Sequence, residues 1–350
     1  MKINSYVRII VALISLILLS GCWDIKEIDK RNFPLIIGIS KENKEEYKVS
    51  LHIPTSEKGG KMSRTVSQKG TNVSSILGQL RTNIEDAVYY KQVRLIIIQN
   101  KLANDKEDLS ELIKFLMKSK ELPSIALIAI TEENIEKMFS NINGKHFSHT
   151  TSIIDYFYKG ADWAPEISTT RIWEVYRSLF SYTKDIAIPV VNSGKDTILN
   201  YEGAAILKNG KITEKINPSE NQFVILFKNH NANGIIENLG NASIMVTNSS
   251  LKIKPSMLTS EPIVSSNLSL KIDILERKEG VTNDQIQSKL EKQFKKQFYD
   301  MLDKAQKNKT DIFGFGQHFR NQIPFHELKN WREEYYPNLK VNFQVHVIIE

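Results

Sequence analysis

Val93-Arg94-Leu95-Ile96-Ile97-Ile98 is a nearly continuous apolar run in the first third of the chain. Such a run predicts a β-strand that is covered on both faces, as strands of parallel sheets are. A helical pattern with one apolar side follows from about residue 106 to 118, and a second apolar run extends from 124 to 130. Because strands that alternate with helices favour parallel pairing, this stretch predicts an α/β unit.

The residues before this unit continue the same pattern. Two strands are predicted at 33–40 and 47–53, and the segment from 55 to 70, rich in Gly, Ser and Lys, is predicted to be a loop. A helix capped by Thr71 or Asn72 should follow. Its apolar face is predicted to carry Ile76, Leu80, Ile84 and Val88.

After residue 130 the helical stretches continue, and the pattern changes to hairpins only after a strand near residue 190. Helices are predicted at about 151–159 and 169–182, and a strand at 186–190. Asn209-Gly210 predicts a type I′ turn within a hairpin from 202 to 212. The remaining predicted elements are strands at 223–227, 243–248, 268–275 and 341–347, and a long helix at about 283–306.

These elements predict an α+β chain with several domains. We place a boundary near residue 196, where the hairpins begin. Residues 22–195 then form a mixed α/β N-terminal part, and residues 196–350 form a β-hairpin-rich α+β C-terminal domain with one long helix.

The first 21 residues have the pattern of a bacterial export signal. Lys2 and Arg8 precede an apolar run from 9 to 19. This run is shorter than the roughly 20 residues that span a bilayer. Leu19-Ser20-Gly21-Cys22 resembles the lipobox of bacterial lipoproteins, in which the cysteine thiol receives a diacylglyceryl group. The mature chain is therefore predicted to begin at Cys22 and to be held on the membrane by lipid, since two acyl chains give stable anchoring. The alternative is an ordinary signal peptide with a chance cysteine.

Composition narrows the possible chemistry. Cys22 is the only cysteine among 350 residues, so its lipidation would leave no thiol for a disulfide, a metal site or a nucleophile. Loss of Lys2 and Arg8 with the signal lowers the formal net charge from +7 to +5. We interpret this modest excess of positive charge first as surface charge that solvates the protein, and second as attraction to an anionic membrane surface. Export from the cytoplasm argues against nucleic acid as a partner.

Catalytic patterns are weak. His146 and His149 have ligand spacing but lack a third ligand, so a surface turn is the better interpretation. Gly314-Phe315-Gly316 lacks the third glycine of a dinucleotide loop, and the segment 192–196 lacks the residues of a phosphate loop. The acidic pairs 132–133 and 333–334 are typical of helix ends and exposed faces. We therefore predict no catalytic, metal or cofactor-binding residue.

Motifs at the two ends of the chain resemble one known family. Gly21-Cys22-Trp23-Asp24, and the segment Asp311-Ile312-Phe313-Gly314-Phe315-Gly316 through Trp331, resemble the C subunits of spore germinant receptors, the Ger(x)C lipoproteins. The hairpin from Gly203 and the long helix after it are similar to the same family. The resemblance implies a non-enzymatic subunit of a nutrient receptor, lipid-anchored at Cys22 on the outer face of the cell membrane, which in the spore is the inner membrane. It also implies integral-membrane A and B subunits as partners, no cofactor, and an α+β fold of three domains.

Two surfaces are candidates for partner docking. One is the basic face of the helix at 283–306, with Lys292, Lys295 and Lys296, and the other is the corner from Phe313 to Phe319. Ordinary fold maintenance is the alternative for both. A different class of function, a lipid-anchored solute-binding protein, predicts two similar α/β lobes around a cleft, whereas an anchored hydrolase needs a carboxylate or metal constellation that the sequence does not show.

Overall fold

The computed structural model of the chain describes residues 31–43, 45–55, 63–143, 150–158, 167–229, 232–258 and 261–350. Cys22, the export signal and the pair His146 and His149 lie outside the described residues. The described part contains two large sheets and a two-stranded parallel pair between β1 (Arg31–Asn32) and β5 (Ala87–Val88).

An eight-stranded mixed sheet organises the first part of the chain, in the order β10-β9-β8-β7-β6-β2-β3-β4. Its four central strands are parallel, and an antiparallel pair extends it on each side. The strands are β2 (Ile36–Lys41), β3 (Tyr47–Pro54), β4 (Ser63–Gly70), β6 (Leu95–Gln99), β7 (Leu127–Thr131), β8 (Ile186–Ser193), β9 (Leu199–Lys208) and β10 (Lys211–Ile216). The parallel centre confirms the predicted α/β unit.

Helices cover both faces of this sheet. One face packs against helices α1, α3 and α6, and the other against α4 and α5. The helices of this part are α1 (Val73–Asn83), α2 (Asn100–Ala103), α3 (Lys106–Lys118), α4 (Ile135–Asn143), α5 (Thr150–Tyr158) and α6 (Ile172–Leu179). Coverage on both faces explains why β6 and β7 are continuously apolar.

A second sheet of four strands, in the order β11-β12-β13-β14, forms the other half. Its strands are β11 (Ile236–Asn238), β12 (Ala242–Leu258), β13 (Glu261–Arg277) and β14 (Lys340–Ile349). β12 and β13 are antiparallel, whereas β13 and β14 are parallel. Two helices, α7 (Pro218–Asn229) and α8 (Asn283–Lys307), pack in the core of this half, and a short helix α9 (Phe325–Leu328) precedes two irregular turns at Trp331–Tyr335 and Tyr336–Asn338.

Several predicted elements are confirmed with close bounds. α3 has the predicted limits because the Asp105 carboxylate accepts hydrogen bonds from the backbone N–H of Glu107 and Asp108, both at 3.0 Å. α8 begins with a capping box of Thr282 and Gln285 and buries the predicted apolar stripe.

Three predictions about elements are wrong. The segment predicted as a loop contains β4, which pairs with β3 over its whole length, from Ser63 to Gly70. The segment predicted as a strand at 223–227 is part of α7. Every residue from 221 to 227 is buried, so the apolar residues show no helical period in the sequence. Val88 lies on β5 and not on the helix, since α1 ends at Asn83.

The first sheet extends beyond the predicted domain boundary. β9 and β10 follow residue 196, yet β9 pairs with β8 from Leu199 onwards. One face of β8 and β9 packs through Ala187, Ala204 and Ile206 into the same core as α7 and α8. The two halves therefore share apolar contacts, and the division into residues 22–195 and 196–350 stays a prediction.

Candidate functional site

The structure separates the residues that the sequence singles out. Lys292 and Lys296 are exposed on α8, and Lys296 forms an ion pair with Asp300 at 3.5 Å. Asn192 is a local hydrogen-bond acceptor, because its side-chain oxygen accepts from the Thr131 hydroxyl at 3.0 Å and from the Glu132 N–H at 3.1 Å. These groups do not form one site, and each has a structural role or a solvated position.

The aromatic rings of the corner from Phe313 to Phe319 are not available for docking. The rings of Phe313, Phe315 and Phe319 are at most 3% exposed, and they pack in the core of the second half. The corner therefore has the packing role that its alternation of Phe and Gly indicates. It reaches the surface through Gln317 and Arg320, which line a cleft described below.

Asp311 organises this corner from the inside. Its carboxylate accepts hydrogen bonds from the backbone N–H of Phe315 at 2.9 Å and of Gly316 at 2.7 Å. The indole N–H of Trp331 donates to the same carboxylate at 2.8 Å. Asp311 and Trp331 are fully buried, so this carboxylate sets the path of the chain from residue 311 to 316 and fixes the indole.

Asp185 and Arg332 connect the corner to the first sheet. Asp185, directly before β8, accepts two hydrogen bonds from the Arg332 guanidinium, from Nε at 3.1 Å and from a terminal nitrogen at 2.7 Å. The same guanidinium donates to the backbone oxygen of Ser181 at 2.7 Å. Asp185 also accepts from the N–H of Asp311 at 2.7 Å and donates its own N–H to the Asp311 carbonyl at 2.9 Å. We call Asp185, Asp311, Trp331 and Arg332 the junction cluster.

Two glycines let the corner approach this cluster. Gly314 has a φ of +72°, a left-handed conformation that disfavours other residues. A Cβ at Gly316 would lie 2.6 Å from the indole nitrogen of Trp331 and 2.8 Å from the Cβ of Thr183. The Asp-Ile-Phe-Gly-Phe-Gly motif is therefore explained by close backbone contact and by one left-handed residue.

Burial sets the electrostatics of the cluster. It raises the pKa of Asp311 to about 6, against the hydrogen bonds that favour its ionised form. Burial also raises the pKa of Asp185, while the charge of Arg332 opposes that rise. Both carboxylates are saturated by donors and shielded from water, so they are suited to hold the two halves together. The described residues bring no three His, Cys, Asp or Glu side chains together in a group that could bind a metal ion.

An open cleft of about 460 Å³ lies beside the junction cluster. We call it the aromatic cleft, because Phe180, Tyr182 and Phe325 line its rim and are 59%, 46% and 74% exposed. Arg320 and Lys184 also line it, and burial lowers the pKa of Lys184. Exposed aromatic rings next to cations are suited to contact with another molecule.

Sequence reasoning identified Asp311 and Trp331 as parts of a motif but missed Asp185 and Arg332. Asp185 is a single acidic residue before a strand, and Arg332 follows Trp331 in an irregular turn. The adjacency of Arg332 to the motif was the only available signal. The two halves are also unlike, since among the described residues the large sheet of one has eight strands and that of the other has four, which does not match the paired lobes of the solute-binding alternative.

Comparisons with known proteins agree with this arrangement. The family model "Spore germination protein N-terminal domain" matches residues 24–193, and "Spore germination B3/ GerAC like, C-terminal" matches residues 202–350. Spore germination protein KC of Bacillus subtilis (strain 168) is 22% identical, over 97% of this chain and 94% of its own length. Spore germination protein A3 of the same organism is 23% identical, over 98% and 97% of the two chains.

A solved structure has the same fold. The crystal structure of the GerBC protein matches with a TM-score of 0.59 at 17% identity, and the alignment covers 89% of this chain and 96% of that chain. The family models match both halves of the chain, and the relatives match it almost from end to end. The chain therefore belongs to the GerAC-like, or Ger(x)C, family of spore germination proteins and has a role in spore germination.

Proposed function

We propose that the chain is a non-catalytic, lipid-anchored subunit of a nutrient germinant receptor complex, which works with integral-membrane A and B subunits. The observation that carries this proposal is the match of both family models, together with the lipobox-like segment that ends in Cys22. Diacylglyceryl-Cys22 would hold the chain on the outer face of the membrane.

The described residues are consistent with attachment from outside the bilayer. No helix among them is both long and apolar enough to cross a membrane. A lipid on Cys22 supplies such an attachment without a spanning helix, because two acyl chains bind a bilayer stably.

The junction cluster supports a non-catalytic role. A general acid or base needs access to substrate and a proton that it can exchange. Asp185 and Asp311 are at most 1% exposed, and backbone N–H groups, the Trp331 indole and Arg332 bind their oxygens. Such carboxylates are suited to fix structure.

The aromatic cleft is the surface that we propose for a partner subunit. Phe180, Tyr182 and Phe325 offer apolar area, while Arg320 and Lys184 offer positive charge. The partner segment should therefore combine apolar and acidic side chains. This surface includes Gln317 of the corner from Phe313 to Phe319, and the basic face of α8 stays the second candidate.

Affinity capture from solubilised spore membranes tests the proposal. Wild type should co-purify with integral-membrane A and B subunits, and Cys22→Ala should lose membrane attachment and respond poorly to nutrients. Capture of transport ATPase components in place of these subunits would contradict the proposal and would favour the solute-binding alternative.

Surface variants locate the contact. Tyr182→Ala with Phe325→Ala should lower capture at least ~10-fold, because buried aromatic anchors contribute 2 kcal/mol or more to an interface. Leu275→Ala is the matched control, since Leu275 is 48% exposed on β13 in the second sheet. If Lys292→Glu with Lys296→Glu lowers capture and the cleft variants do not, the contact lies on α8.

A further inference from the structure

We propose that a basic face at the amino-terminal end of the first sheet binds the headgroups of anionic phospholipids and so gives the chain a second contact with the membrane. The face consists of Arg31, Lys91, Arg94 and Arg171. This inference rests on the lipid anchor proposed at Cys22, which would bring the face close to a bilayer.

The backbone holds three of these residues around one shallow depression. Lys91, Arg94 and Arg171 line a depression of about 330 Å³. The carbonyl of Arg94 accepts from the N–H of Leu127 at 2.8 Å, and Leu127 also forms a bridge with Arg171. Arg94 and Arg171 therefore stand directly before β6 and α6, and Lys91 lies in the turn at Tyr90–Gln92 that precedes β6.

Arg31 extends the face toward the amino terminus. It lies on β1, which pairs with β5, and its guanidinium is 5.7 Å from the centre of the Tyr89 ring. Tyr89 directly precedes the turn that carries Lys91. Arg31 is thus connected through Tyr89 to the stretch of chain that carries Lys91 and Arg94.

No described carboxylate forms an ion pair with the cations of this face. Arg31, Lys91, Arg94 and Arg171 form no ion pair with any described residue, and no carboxylate lines the depression. Arg64 and Arg81 differ, since each forms an ion pair with a glutamate, Arg64 with Glu85 at 3.3 Å and Arg81 with Glu121. Unpaired cations on one face attract an anionic surface at distances up to about 10 Å at moderate salt.

Apolar groups lie among the cations. Ile125 is 65% exposed at the edge of the depression, and Trp173 is half-buried beside it. The Arg177 guanidinium is 5.1 Å from the centre of the Trp173 ring. Aromatic and aliphatic groups next to Lys and Arg suit the headgroup region of a bilayer, where rings and charged side chains are both accommodated.

The position of the face agrees with the anchor. The nine residue-to-residue steps from Cys22 to Arg31 extend at most about 32 Å. A chain held at Cys22 therefore keeps Arg31 within that distance of the bilayer, and the basic face is the part of the described fold that continues from Arg31. A phospholipid surface fits better than an acidic protein because this tether supplies it at high local concentration.

Lipid-mediated quenching tests the inference in the full, lipidated chain. Ile125→Cys provides a single free thiol for a fluorescent label, since Cys22 carries lipid, and vesicles of phosphatidylcholine with phosphatidylglycerol carry a quencher on the lipid. We expect strong quenching at low salt, loss of it at high salt, and weak quenching in vesicles of phosphatidylcholine alone. Leu275→Cys is the matched control and should be quenched weakly in every case.

A charge variant separates the possible outcomes. A triple variant should reduce quenching at position 125 to the level of the control; it combines Lys91→Gln, Arg94→Gln and Arg171→Gln. Because the three positions are exposed, the melting temperature of the protein should not change. Equal quenching at 125 and 275, or quenching that does not depend on phosphatidylglycerol, would overturn the inference. So would a variant that keeps its quenching but captures fewer partner subunits, because the face would then bind protein. Failure of the anchor appears separately, as a wild-type chain that does not float with phosphatidylcholine vesicles.

Discussion

Removal of the Arg332 guanidinium tests how the two halves are joined. In Arg332→Met the carboxylate of Asp185 loses two charge-assisted hydrogen bonds, at 3.1 and 2.7 Å, while it stays 1% exposed. Breaking a buried ion pair from one side typically costs about 3–5 kcal/mol. We expect a loss of this size in the free energy of unfolding at neutral pH, because methionine fills much of the space but cannot bind the carboxylate.

The loss should depend on pH in a defined direction. Burial raises the pKa of Asp185, and without the opposing charge of Arg332 that pKa rises further above its value of about 3.9 in the unfolded chain. Below about pH 4 the carboxyl group is protonated in both states and costs little. As pH increases, the unfolded state releases the proton first, so the deficit grows by at most ~1.4 kcal/mol per pH unit until the folded group ionises.

Unfolding of the full chain in mild detergent at several pH values measures this deficit. Arg320→Met is the matched control. Arg320 is exposed, and its guanidinium donates a hydrogen bond to the Gln317 side chain at 3.5 Å, so this variant should change stability by less than about 0.5 kcal/mol. The double variant with Asp185→Asn should recover part of the loss, because no unpaired charge remains. A deficit below about 1 kcal/mol, or one that does not change between pH 4 and 7, would refute the account.

Three further variants test local contacts by thermal or denaturant unfolding. Gly316→Ala should lower the free energy of unfolding by roughly 1–3 kcal/mol, since its methyl group would lie 2.6 Å from the Trp331 indole nitrogen. Gly78→Ala is the control: Gly78 has open space around it, so alanine should stabilise α1 by about 0.5–1 kcal/mol. Equal effects of the two substitutions would contradict the packing argument. Burial lowers the pKa of His52, so the stability that its neutral ring contributes is present above about pH 6.5 and is lost as pH falls. His52→Gln removes this titration and should therefore reduce the loss of stability on acidification. An unchanged pH profile would disprove this. Asp105→Ala should cost about 1 kcal/mol, as it removes the cap of α3, and no cost would show that the cap is dispensable.

Local pattern predicted the fold where the cause of the structure is local. α3 and α8 have capping residues and a regular apolar side, and both were predicted within one residue. α7 was predicted as a strand, because Phe223 to Phe227 are buried on every side and the usual helical period is absent. β4 was predicted as a loop, because its polar residues show no alternation and its register comes from β3.

The junction cluster shows where local pattern ends. Asp311 and Trp331 stand in a motif that the sequence singles out. Asp185 and Arg332, which form the ion pair of the same cluster, are 147 residues apart in the chain. No spacing rule connects them, because the connection is made only when β8 and the corner meet. A lone acidic residue before a strand is ordinary on most surfaces, and only burial gives it this role.

α6 links the two proposed surfaces. Its first turn carries Trp173 beside the basic face, and Phe180 directly after its last residue lines the aromatic cleft. Glu174 on this helix forms an ion pair with Lys228 of α7 at 2.8 Å, and the loop after the helix is bound by Arg332, so both ends of α6 are fixed. A helix of eight residues is about 12 Å long. When the basic face rests on the bilayer, the cleft therefore lies close above the headgroups. The external loops of an integral-membrane subunit are at the same height, so they reach the cleft more readily than a protein that is free in solution does.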